Sequence, residues 1–256
     1  MDILKRDQSK EGVLTLTLNR PERKNSIDLT LADELLRALE AAAENAAVRA
    51  VVITGAGDTF STGGDLAGDG VKRSALAVMR QITRPALALH RFGKPTLAKV
   101  NGTAAGAGWN LALGCDLVVA SDKARFCQIF ARRALSLDYG GSWLLPRLVG
   151  LHRAKELALL ADWVSAEEAE KLGLVNRVVP AAELDAFVDD WAKRLAAGPP
   201  IALALSKRML TEASSRSFEE AVDIEATSQA VNFASEDTRE GLKAFFEKRA
   251  PKFEGR

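Results

Sequence analysis

The sequence predicts an α/β fold, and three observations predict it. Apolar strand-like runs and helical patterns alternate through roughly the first 180 residues. Past Pro180 the strand signals vanish and only helical patterns remain. Two loops of small residues, Thr59 to Leu66 and Asn101 to Asn110, each follow a strand-like run and precede a helical pattern.

Val13 to Leu18 alternates apolar residues with Thr and reads as a strand. Leu29 to Glu44 carries Leu, Ala and Glu at helical spacing, with Thr30 as its expected N-cap. Ala50 to Thr54 is a short buried strand ending at Gly55. Ala75 to Phe92 is helical, with a break or kink at Pro85. Pro95 to Val100 is a strand stopped by Asn101-Gly102. Gly108 to Gly114 is a helix, the strand Asp116 to Ala120 follows, and a further helix starts near Gly140. Leu184 to Ala197, Ile201 to Ala213, Phe218 to Ala234 and Thr238 to Lys248 complete the helices. The Gly198-Pro199-Pro200 break divides a core, residues 1–197, from a helical region, residues 198–256.

Composition narrows the function. A chain of 256 residues with 47% hydrophobic content can build one large core. With 35 basic and 34 acidic residues the net charge is +1, which disfavours nucleic-acid or membrane-surface binding driven by charge. Cys115 and Cys127 have no metal or disulfide spacing and read as buried free thiols. His90 and His152 stand far apart, so neither a metal site nor a histidine-driven triad has its material. The N-terminus lacks an apolar signal region and no stretch reaches membrane-span length. A soluble cytoplasmic protein is the expectation.

The two loops point to chemistry. Thr59-Phe60-Ser61-Thr62-Gly63-Gly64-Asp65-Leu66 and Asn101-Gly102-Thr103-Ala104-Ala105-Gly106-Ala107-Gly108-Trp109-Asn110 leave backbone N–H groups uncovered. Two such groups aimed at one point stabilise a carbonyl that gains negative charge. In that order the loops resemble the signature segments of the enoyl-CoA hydratase/isomerase (crotonase) superfamily. Asn19-Arg20-Pro21 with Lys24-Asn25-Ser26 resembles its first CoA-contacting loop. Gly140 to Gly150, Ala166 to Val175 and Phe245-Phe246-Glu247-Lys248-Arg249 fit as well.

The resemblance implies a spiral of ββα units with two near-perpendicular sheets and a C-terminal helical trimerisation region, in a homotrimer or a hexamer. It places the oxyanion donors on the N–H groups of Gly64 and Ala107, with Gly63 and Gly106 allowing the turns. It places Lys24, Asp65 and Leu66 at the adenine end of CoA. Phe245 and Lys248 would come from a neighbouring subunit. The acyl-CoA is substrate, and no metal or redox cofactor is implied.

Hydratases similar to this chain use two glutamates, and the matching positions hold Asn110 and Phe130. One acid stands at a position that the family's isomerases use, Asp138, and one carboxylate suffices to move a double bond. The motif around Leu137-Asp138-Tyr139-Gly140-Gly141-Ser142-Trp143 resembles ring-modified phenylacetyl-CoA isomerases. Apolar neighbours Leu137, Phe130 and Trp143 would raise the pKa of Asp138 by desolvation. As a helix N-cap the same carboxylate would instead have a lowered pKa. Trp109, Phe130 and Trp143 are candidates for the acyl pocket, built from residues 71–94 and 126–145, with Lys72 to Arg84 as a mobile rim. Enoyl-CoA isomerisation is the favoured reaction. Hydration by a single-acid variant, a nucleophilic Asp138 acting on an aryl-CoA, and a non-catalytic acyl-CoA-binding paralogue stay open.

Overall fold

The computed structural model describes residues 2–65 and 74–256. Leu66 and Lys72 lie outside the described residues. Among those described, ten strands form a sheet of six and a sheet of four. β1 (Leu4–Gln8) and β2 (Val13–Leu18) make an antiparallel hairpin at one edge of the large sheet. In β2 the Leu side chains face the core and the Thr side chains are half-buried, as period-2 alternation requires.

α1 (Leu29–Glu44) packs against this hairpin. Its bounds agree with the sequence pattern, and it buries Leu31, Leu35, Leu36, Leu39 and Ala42 at helical spacing. Its cap differs from expectation. Asp28, and not Thr30, is the N-cap, and its side chain accepts the Leu31 N–H at 2.7 Å. Asp28 has the extended backbone that a cap needs, whereas Thr30 is already helical.

From here the chain repeats one pattern. β3 (Ala50–Gly55) joins the large sheet and β4 (Thr59–Ser61) starts the small one. β3 is buried along its whole length, as a central parallel strand covered on both faces must be. α2 (Ala75–Ile82) and α3 (Arg84–His90) follow, separated at Thr83. Pro85 sits in the first turn of α3, where its missing N–H costs nothing. β5 (Thr96–Val100) lies beside β3, β6 (Thr103–Ala105) beside β4, and then comes α4 (Ala107–Leu113). β7 (Leu117–Ser121) lies beside β5 and β8 (Arg125–Cys127) beside β6. Each pair of strands thus feeds both sheets before a helix returns the chain, which produces the ββα spiral.

α5 (Gly141–Leu160) follows a 3-10 turn, Ile129–Arg133. It is two helices merged across Gly150, whose φ of 73° and ψ of 163° break the helical ladder. β9 (Val164–Ser165) closes the small sheet, α6 (Ala166–Lys171) follows, and β10 (Arg177–Val179) closes the large one.

α7 (Leu184–Ala197) covers the outer face of the large sheet, burying Leu184, Val188 and Ala192 against Val52, Leu97 and Val119. The main core lies on the opposite face, under α1, α3 and α4. α8 (Pro200–Glu212), α9 (Phe218–Ala234) and α10 (Glu236–Glu247) bury almost nothing. They are tied to the core by polar contacts. Lys207 Nζ donates to the Lys94 carbonyl at 2.9 Å and pairs with Asp116 at 2.8 Å. Arg49 donates to the Gly198 carbonyl at 2.9 Å.

Candidate active site

The first loop leaves β4 and is fixed from below by Asn25. That side chain is fully buried, accepts the Arg20 N–H at 2.9 Å, and donates to the carbonyls of Ala56 and Thr59. Ser61 Oγ donates to the Asn25 carbonyl at 2.8 Å and accepts the Gly63 N–H at 3.2 Å. Gly63 has a φ of +89°, and a Cβ there would lie 2.8 Å from the Ala105 carbonyl and 3.0 Å from Ala107 N. Only glycine meets both demands. The two loops therefore touch, with Gly63 against the start of the second.

The second loop turns at Gly106, where φ is 54° and ψ is −129°, and enters α4 at Ala107. Gly108 lets α4 approach β4, since a Cβ there would meet the Ser61 carbonyl at 2.3 Å. The N–H groups of Gly64 and Ala107 donate to no acceptor among the described residues. A Cβ on Gly64 would meet nothing within 4 Å among the described residues. Phe130 is buried behind this loop, its ring about 3.5 Å from where a Gly106 Cβ would stand.

Asp138 lies in the bend before α5. Gly140 is the N-cap of α5, and Asp138 meets the helix start through its backbone carbonyl, which accepts the Gly141 N–H at 2.9 Å; no hydrogen bond from the helix reaches its carboxylate among the described residues. Its Oδ1 is buried and has no hydrogen-bond partner among the described residues. Burial raises the carboxyl from its ordinary 3.8 to about 6. Tyr139, next to it, is buried with an unpartnered hydroxyl, and burial pushes its pKa upward.

A cavity of about 370 Å³ opens between α3, α4 and the start of α5. Ala86, Leu87, Leu89, Leu111, Trp143 and Leu144 give it an apolar wall, and Asn110, Tyr139 and Gly140 join Asp138's segment to it. Trp143 is held by His90 edge-on at 5.0 Å and by the Arg147 guanidinium at 3.9 Å. Trp109 departs from expectation. It is fully buried, 5.2 Å from Phe126, and does not line this cavity. Successive helix positions are rotated by about 100°, so Trp109 faces the core where Asn110 faces the cavity.

The other expected residues fall in two places. Lys24 adopts left-handed backbone with a φ of 51°, and its carbonyl accepts the Thr62 N–H at 3.1 Å, beside the first loop. Asp65 pairs with Arg20 at 3.0 Å, and Arg20 also pairs with Asp28 at 3.1 Å. Phe245 and Lys248 lie at the end of α10, exposed, with Phe245 packed edge-on against Phe246. Cys115 and Cys127 are buried free thiols, and burial pushes Cys115 up to about 12.

Two contributors were not legible as such in the sequence. Asn110 reads there only as a glutamate position without its acid, yet its Nδ2 donates to the Asp138 carbonyl at 2.9 Å. Gln128 donates to Asn110 Oδ1 at 2.8 Å. Gly141 was a possible signal for the first, because a Cβ there would lie 2.3 Å from Asn110 Nδ2.

The ββα spiral across two sheets is the crotonase-type fold, and its solved examples superpose closely. The crystal structure of an enoyl-CoA hydratase from Bacillus anthracis matches with a TM-score of 0.95 at 31% identity, covering 100% of both chains. The model of the family "Enoyl-CoA hydratase/isomerase" matches residues 8–256. The "Probable enoyl-CoA hydratase" of Rhodobacter capsulatus is 41% identical, covering 98% of each chain. The 1,2-epoxyphenylacetyl-CoA isomerase of Escherichia coli is 38% identical, covering 96% of this chain and 97% of that one. The chain belongs to the enoyl-CoA hydratase/isomerase family.

Proposed function

We propose that this protein moves the double bond of an enoyl-CoA, with Asp138 as the single acid–base group. The observation that carries this reading is the Asp138 carboxylate. It is poorly solvated, has an unpartnered oxygen, and is raised to about 6, so it is ionised at neutral pH yet basic for a carboxylate. It takes a proton from the carbon next to the thioester of a 3-enoyl-CoA. The C–H electrons delocalise into the thioester carbonyl and the double bond. The free N–H groups of Gly64 and Ala107 bind the enolate oxygen. The protonated Asp138 then returns the proton at the γ-carbon, giving the 2-enoyl-CoA with no net change in composition.

Hydration has less support. It draws on two acids, and neither Asn110 nor Phe130 can supply one. Both polar ends of the Asn110 amide are already bonded within the protein. CoA runs along the first loop by Lys24, Asp65 and Leu66 in this reading, and the cavity walled by Trp143 receives the acyl chain. No resident metal or redox cofactor takes part.

A homotrimer, or a hexamer of two trimers, is part of the same proposal. Residues 198–256 leave Leu210, Phe218, Phe233, Phe245 and Phe246 at least 69% exposed, a density of apolar surface that favours burial between copies. Phe245 and Lys248 would then reach the CoA of a neighbouring subunit. A cytoplasmic site of action belongs to the same proposal, and none of the described helices is long and apolar enough to cross a membrane.

The test is proton NMR of 3-enoyl-CoA and 2-enoyl-CoA incubated with the protein in D₂O. Deuterium at the α- or γ-carbon, lost in Asp138→Asn, is the expected result. Formation of 3-hydroxyacyl-CoA would overturn the isomerase reading in favour of hydration. Binding of thioesters without any exchange would overturn catalysis altogether.

A further inference from the structure

We infer that Asn110 is a positioning residue for Asp138 and that Gln128 sets Asn110 in turn; the inference rests on reading Asp138 as the base. The segment after Asp138 needs to be held. Tyr139 has a φ of 53° and Gly140 a φ of 85°, two consecutive left-handed residues of which one is aromatic. A non-glycine residue there persists only where its surroundings impose it. The Asp138 carbonyl has two donors, the Gly141 N–H at 2.9 Å and Asn110 Nδ2 at 2.9 Å. The first is local. The second comes from α4, 28 residues earlier in the chain.

The direction of the amide follows from its partners. A carbonyl can only accept, so Nδ2 faces Asp138 and Oδ1 faces Gln128 Nε2, at 2.8 Å. Asn110 is 1% exposed and Gln128 is fully buried, so the bond between their side chains is buried, while the bond to the Asp138 carbonyl is part-buried beside the cavity. Gly141 makes room, because a side chain there would collide with the Asn110 amide.

Where the bond is made matters as much as its presence. Asn110 holds the backbone of Asp138 and leaves the carboxylate alone. A donor on the carboxylate itself would stabilise the anion and weaken the base. Asn110 also stands one turn from Ala107 in α4, and its own N–H closes onto Gly106 at 3.0 Å. The amide therefore sets the distance between the base and the oxyanion donors through one short rigid helix. Glutamate at this position, when ionised, could not donate to the Asp138 carbonyl. An apolar residue would leave that carbonyl with one donor.

The experiment is a double-mutant cycle on isomerisation of a 3-enoyl-CoA. The rates of Asn110→Ala, Asp138→Asn and the double variant are compared with wild type, and thermal unfolding confirms that each is folded. Asn110→Ala is expected to lower kcat by about 10- to 100-fold, the cost of misplacing a reacting group by a fraction of an ångström to one ångström, with KM nearly unchanged. In the Asp138→Asn background the same change should alter the residual rate by less than about twofold, because its effect runs through the missing carboxylate. The same fold-loss in both backgrounds overturns the inference, as does an unchanged kcat in Asn110→Ala while Asp138→Asn is inactive. A wild-type rate in Asp138→Asn sinks the base assignment itself, which is a different failure. If Asn110→Ala does not fold, Gln128→Met carries the cycle. It keeps the volume, removes the donor to Asn110 Oδ1, and should give a smaller loss that again disappears in the Asp138→Asn background.

Discussion

Replacing Asp138 with Asn is expected to stabilise the protein while reducing activity to a small residual rate. The carboxyl is raised from 3.8 to about 6 by burial. A group raised in the folded state binds its proton more tightly there than in the unfolded chain. Its favourable contribution is fully present below the unfolded value, near pH 4, and is lost as pH rises through about 6. Above that the folded protein carries a poorly solvated anion. A shift of about two units corresponds to about 3 kcal/mol. The side chain is not wholly shielded from solvent, so screening reduces this to about 1–2 kcal/mol. Asn at this position carries no charge and escapes the cost. At pH 7.5 the melting temperature of Asp138→Asn should exceed wild type by about 2–8 °C, and at pH 4 the two should coincide. Scanning calorimetry or denaturant unfolding from pH 4 to 8 measures the difference. Equal stability across the range, or a less stable variant at pH 7.5, would show that Asp138 is solvated or partnered, and the basis for its role as a base would be gone.

The same ionisation sets the pH–rate profile: kcat/KM for isomerisation should fall tenfold per unit below about pH 6, followed spectrophotometrically. Gly63→Ala and Gly64→Ala should separate sharply. The first meets backbone at 2.8 Å with a φ of +89° and should cost more than about 1–3 kcal/mol, while the second meets no described residue within 4 Å and should stay within about 1 kcal/mol, by urea denaturation. Asn25→Ala removes three hydrogen bonds of a fully buried side chain and should cost about 2–4 kcal/mol by the same assay, with activity falling as the first loop loosens. Trp143→Ala widens the cavity at its partly exposed edge, so specificity should shift toward bulkier acyl groups, read as the ratio of kcat/KM values, with little loss of stability.

The sequence by itself determined what depends on near neighbours. The limits of α1, α7 and α9 agree with the periodicity to the residue, because 3.6-residue spacing and flanking breaks are local signals. The glycine turns at Gly63 and Gly106 were legible for the same reason, since only glycine serves a backbone of that shape. The cap of α1 was expected at Thr30 and is Asp28, because the choice depends on the backbone path of the chain into the helix, which the local pattern does not carry. Other matters belonged to the tertiary structure. Trp109 and Trp143 are both tryptophans near candidate loops, yet the core takes the first and the cavity the second, a choice made by helix rotation and neighbours. Gly150 breaks α5 without any proline beside it. The bond from Asn110 to Asp138 joins positions with no shared periodicity, and it exists only because β6, β8 and the turn before α5 bring α4 to that carbonyl. A motif could propose Asp138 as the acid, but it left open whether its carboxyl is shifted up by burial or down by a capping role. That depends on how much water reaches the carboxylate, and only packing excludes water.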